Sequence, residues 1–105
     1  MLVFDLDTHF ILDVNDVALR QYGYSRQEFL SLTVFDLRPI EDLSRFRAVV
    51  LDPRRQKQST AAPWRHKTKG GIVFPVSITS WKTTFHGRRA ELVLARPEVM
   101  KNIVK

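Results

Sequence analysis

The chain has 105 residues, 44% of them hydrophobic and 27% charged, with no cysteine and a formal net charge of +6. A chain of this length makes one domain with one core, and without cysteine it has no disulfide, thiolate metal site or thiol-linked cofactor. No apolar run approaches the roughly 20 residues of a membrane span, and the acid-interrupted opening from Met1 to Asp7 is not a signal peptide, which fits a cytoplasmic protein.

The charge is unevenly spread. Residues 1–52 hold five Lys or Arg and nine Asp or Glu, for a net −4. Residues 53–105 hold twelve Lys or Arg against Glu91 and Glu98, for a net +10. Such asymmetry marks either a nucleic-acid surface or two halves that complement each other, within one molecule or across a dimer. The basic residues are scattered along strands and turns and form no recognition helix or lysine-rich tail, which favours complementation.

In chain order, Leu2 to Leu6 and His9 to Val14 read as two strands of a hairpin turned at Asp7-Thr8. Asn15-Asp16 caps a short helix through Tyr22, and Gly23 ends it. Ser25 and Glu28 form a capping box for the next helix, with Tyr24 and Phe29 placed as a hydrophobic staple. A turn around Thr33 to Leu37 stops at Arg38-Pro39. A longer helix is predicted from Glu41 to Leu51, with Leu43, Phe46 and Val50 on one face. Residues 54–59 form a polar connection.

From residue 60 onward the pattern is β. A strand from Trp64 to Thr68 meets the turn signal Lys69-Gly70-Gly71, and a long strand follows with Phe74, Val76 and Ile78 on one face. Pro75 conflicts with a fully paired central strand there. After His86-Gly87 the last strand runs from Arg89 to Arg96. Trp81 and Val93 are predicted on the face opposite the core set. Residues 1–97 make the domain, and 98–105 form an extension able to begin a linker helix. Strands segregated from helices imply an α+β domain with helices on one face of an antiparallel sheet.

Local phrases in this order resemble the PAS family of sensory domains in its bacterial S-box form. They are Ile11 to Ala18, Tyr22-Gly23-Tyr24-Ser25-Arg26-Gln27-Glu28-Phe29-Leu30, Phe35-Asp36-Leu37-Arg38-Pro39, Lys67 to Gly71, Phe74 to Ile78, and Phe85 to Arg88 leading into Leu92 to Arg96. The resemblance spans Leu2 to Arg96. It implies a five-stranded sheet in order 2-1-5-4-3 and a small cavity between helices and sheet, lined here by Phe35, Phe46, Val50, Trp64, Val76, Ile78 and Leu94. It also implies a signal-input or relay module of a larger protein (a sensor kinase of a two-component system, a cyclic-dinucleotide enzyme or a transcription regulator), working by ligand binding and as a homodimer. Two departures stand out. Arg96 is followed by Pro97-Glu98 where the family often has an Asp-x-Thr phrase, and the chain begins at the first strand without a helical extension, as a fragment of a longer protein would.

Candidate chemistry is sparse. His9, His66 and His86 lie in no nucleophile phrase, and read as surface or strand histidines. They are too widely spaced for a metal site, and Asp5 and Asp7 lack the rest of a calcium loop. No catalytic and no metal residue is therefore predicted, and the domain is read as a binding module and not an enzyme. Residues 41–52 contain no histidine, which argues against a haem ligand on the long helix, and the missing cysteine argues against a photoactive cysteinyl-flavin. Noncovalent flavin in a flat slot between Trp64 and Phe46, or a small metabolite, remains open. The rival reading is a nucleic-acid-binding domain using Arg54, Arg55, Lys57, Arg65, Lys67, Lys69, Arg88 and Arg89.

Overall fold

The computed structural model describes residues 1–52 and 64–98. The polar connection at 54–59 and nearly all of the 98–105 extension lie outside them. Ten elements follow one another: β1 (Leu2–Asp5), β2 (Ile11–Val14), α1 (Asp16–Tyr22), α2 (Arg26–Phe29), two 3-10 turns (Val34–Leu37 and Ile40–Asp42), α3 (Leu43–Val50), β3 (Trp64–Lys67), β4 (Val73–Phe85) and β5 (Arg88–Pro97). The strands form one antiparallel sheet in the order β2-β1-β5-β4-β3. This is the expected order. No helix among the described residues is long and apolar enough to cross a membrane.

The first hairpin closes on Asp5, whose carboxylate accepts the Asp7 and Thr8 amides at 2.7 and 3.1 Å. His9 takes a left-handed conformation (φ 69°), so it belongs to the turn and not to the predicted second strand. Asn15 accepts the Ala18 amide at 3.0 Å, and Gly23 leaves α1 at φ 84°. The capping box is formed as predicted: Ser25 Oγ accepts the Glu28 amide at 3.1 Å, and Glu28 Oε1 accepts the Ser25 amide at 2.9 Å. Tyr24 meets Phe29 edge-on, with ring centroids 5.5 Å apart, completing the staple. The predicted helix 41–51 is split into the second 3-10 turn and α3, because Pro39 holds an extended backbone and the chain re-enters the helix one tight turn later.

Pro75 sits within β4 without breaking it. In an antiparallel strand one residue's N–H and C=O point to the same side. The Pro75 carbonyl accepts the Glu98 amide at 3.0 Å, so its missing N–H faces the end of β5, and the pairing to β3 opposite Arg65 needs no donor from it.

The inner sheet face carries Leu2, Phe4, Ile11, Val14, Trp64, Val76, Ile78 and Val93, buried against Ala18, Tyr22, Phe29, Val34, Leu37, Phe46 and Val50 of the helical layer. β5 departs from expectation. Val93 is buried and lies opposite Ser80 and Leu2, whereas Leu94 lies opposite Thr79 and is 38% exposed. The predicted parity of this strand is inverted.

Part of the charge asymmetry is met inside the molecule. Asp42 is held by both Nε and Nη2 of Arg65, at 3.0 and 2.9 Å, and Glu28 by Lys69 Nζ at 2.8 Å. Asp5 is paired with Arg88, and Asp7 with Arg89 at 2.6 Å. Each of these four pairs joins an acid from the first half to a base from the second. Solvent screening keeps the exposed pairs Glu28–Lys69 and Asp7–Arg89 individually weak, whereas the Asp5 carboxylate is buried beside Arg88.

Candidate ligand cavity

Between the helical layer and the sheet lies a cavity of about 20 Å³. Its sheet wall is formed by Leu2 and Phe4 of β1, His66 of β3, Ile78 and Ser80 of β4, and Glu91 and Val93 of β5. The opposite wall is Val34, Leu37 and Arg38 from the first 3-10 turn and its end, with Phe46 and Val50 of α3. Alternation along β4 carries Val76, Ile78 and Ser80 to the inner face in turn. The same period on β3 places Trp64 and His66 there.

The seven residues named from the sequence divide. Phe46, Val50 and Ile78 line the cavity. Trp64 and Val76 are buried directly opposite each other at the β3 side of the core. Phe35 is half-buried, edge-on to Phe46 at 5.6 Å, with the Arg47 guanidinium 4.6 Å from its ring centre. Leu94 points to the other face of the sheet, and its predicted place is taken by Val93. The flat slot predicted between Trp64 and Phe46 does not exist. Their rings meet at 83°, and the Arg38 guanidinium sits 3.7 Å from the Phe46 ring centre and 4.9 Å from that of Trp64. With stacked cation where a planar ring would go, and a volume far below the several hundred Å³ of ordinary ligand pockets, these residues do not fit a flavin.

The polar members of the wall were not among the predicted site residues. Arg38, read from sequence only as part of a helix stop, is 5% exposed, and its Nε and Nη1 have no hydrogen-bond partner. Burial pushes its pKa down to about 10, with Arg45 adding to the depression and Asp42 opposing it. It remains a cation at neutral pH. His66, by sequence a surface or strand histidine, is 1% exposed. Burial, and secondarily Arg38, hold its pKa well below the usual histidine range, so the ring is neutral. Burial also raises the Tyr22 hydroxyl, which stays protonated and bonds to His66 Nδ1. Either group can be the donor in that bond, and His66 Nε2 has no partner. The Ser80 hydroxyl also has none. A sequence signal existed for two of these, since His66 follows Trp64 and Ser80 follows Ile78 at the two-residue spacing of one strand face.

A wider open groove of about 410 Å³ runs outside, along Leu6, Asp7, His9, Leu51, Lys82 and Arg89, and Val50 lines both spaces. Among the described residues no group of three His, Asp or Glu side chains gathers to hold a metal ion.

No protein-family model matches the chain, and neither does any curated protein. Its structure, however, is similar to solved PAS domains. One from a two-component sensor histidine kinase is 21% identical with a TM-score of 0.74, over 92% of this chain and 82% of the other. One from Desulfitobacterium hafniense is 13% identical at 0.76, over 92% and 90%. A third, from Colwellia psychrerythraea, is 20% identical at 0.76, over 92% and 83%. The fold is that of a PAS domain.

Proposed function

We propose that this chain is a sensory module of a larger signalling protein, in which a small ligand in the interior cavity biases contacts made by the outer sheet face. The observation that carries the reading is a charged arginine, buried and short of hydrogen-bond partners, in the wall of a cavity between sheet and helices. A buried cation with no ion pair among the described residues lowers stability, and such costs concentrate where a site awaits something. The outer face offers a route for output. Trp81 is 44% exposed and Leu94 38%, on neighbouring strands of one surface, and an apolar patch of this kind suits a second copy of the chain.

The module binds and does not catalyse. Its histidines lie apart, His9 in the first hairpin turn, His66 on β3 and His86 in the last turn. The nucleic-acid alternative loses support from the ion pairs that engage Arg65, Lys69, Arg88 and Arg89; Arg54, Arg55 and Lys57 lie outside the described residues. Native mass spectrometry of protein purified without added ligands tests the proposal. A bound small molecule, released on unfolding, supports it. A chain that carries nothing and that gains no stability from any member of a metabolite library would refute it.

A further inference from the structure

The sensing role proposed above leaves the ligand's chemistry open, and the polar atoms of the cavity narrow it. Arg38 has two nitrogens without partners, and His66 Nε2 and the Ser80 hydroxyl have none either. Guanidinium offers only donors, and His66 adds a third kind of donor in the tautomer whose Nδ1 accepts from Tyr22 and whose proton sits on Nε2. A water molecule accepting two of these bonds leaves the Arg38 charge uncompensated. An oxyanion instead accepts from all of them and neutralises the buried charge. Asp42, the carboxylate that acts on Arg38 from a distance, already has both oxygens bonded to Arg65.

We infer that the cavity binds a small monocarboxylate, with the Arg38 guanidinium as its ion partner and His66 Nε2–H and Ser80 Oγ–H as neutral donors. One negative charge suits the site because, among the described residues, Arg38 is the one Arg or Lys in its wall, which Glu91, itself engaged, also lines. Small size follows from the volume. At about 20 Å³ the space exceeds the ~10–15 Å³ that one water requires and falls far short of the ~150 Å³ that admits benzene. Formate and acetate are the matching class. This inference rests on the ligand-sensing reading and deepens it.

The test titrates ¹⁵N-labelled full chain with sodium formate and sodium acetate, against sodium chloride at matched ionic strength and neutral pH. Amide and arginine Nε–H resonances are followed by NMR. The expected result is a saturable shift at Arg38 Nε–H and Ser80 with a carboxylate and none with chloride. Arg38→Met, folded by circular dichroism, should weaken binding by at least about tenfold, the loss of one charge-assisted bond. Ser80→Ala, which keeps the packing, should weaken it about threefold. No saturable response, or one that Arg38→Met retains, overturns the carboxylate. In that case a neutral compound recovered by native mass spectrometry leaves ligand sensing standing, whereas an empty protein removes both readings.

Discussion

Replacing Arg38 with methionine should make the ligand-free protein more stable. Burial lowers the guanidinium's pKa to about 10, and a depression of that size disfavours the charged folded state by about 3 kcal/mol. Against this stand the contacts with Phe46 and Trp64, at 3.7 and 4.9 Å from the ring centres, worth about 1 kcal/mol each. Methionine fills similar space without a charge, so the net expectation is a gain of about 1 kcal/mol, read as a rise of about 4 °C in Tm. The sign carries a pH signature. The folded value lies below the unfolded one, so the burden is fully present at neutral pH and is relieved as pH rises through about 10. The gap between variant and wild type should therefore close in alkaline solution. The assay is thermal and urea unfolding in buffers free of carboxylates. A variant less stable than wild type by more than about 1 kcal/mol would refute the reasoning, since it would mean that the guanidinium is well paired in the free protein.

Three other outcomes are expected. Ser25→Ala should lower the urea midpoint by an amount worth about 1 kcal/mol with an unchanged slope, because it removes the acceptor of the Glu28 amide; an unchanged midpoint would mean the box carries no stability. Trp81→Glu should loosen a concentration-dependent homodimer in analytical ultracentrifugation; a dimer retained in this variant would move the interface to the helices, and a strictly monomeric wild type would remove it. Asp42 is held below the ordinary carboxylate range first by its bond to Arg65, so its contribution is present above the ordinary aspartate pKa of about 3.9 and is lost as pH falls through the lower folded value. Asp42→Asn should accordingly flatten the acid limb of stability against pH, and identical limbs would show that the pair contributes nothing.

What was legible in the sequence was local. Ser25, Glu28, Tyr24 and Phe29 act within one helical turn of each other, so their spacing alone specifies the cap and the staple. Strand order came from ordered phrases matched as a whole, and the structure has that order. Parity in β5 was not legible, because Leu92-Val93-Leu94 is apolar at every position and a period of two needs a polar face to be read. Glu91 pointing inward made the strand harder still to read. Arg38 and His66 were missed because burial of a polar side chain is decided by elements distant in sequence: β3 brings His66 to Tyr22, and α3 brings Phe46 under Arg38. The His66 and Ser80 spacings were available, but a polar residue continuing an apolar face reads as the place where the face ends.

The sheet order also governs how the chain can come together. β1, the first of these five strands in the chain, pairs on one side with β2 and on the other with β5, with Leu2 opposite Val93. The centre of the sheet is thus the last strand made. Until residue 97 has emerged, β1–β2 and β3–β4 are two hairpins with no shared ladder, and isolated hairpins are marginal in water. Contacts of such long sequence separation place folding in the slower, topology-limited range. They also make the domain an all-or-none unit, since a chain shortened within β5 loses the strand that joins both hairpins and unfolds as a whole.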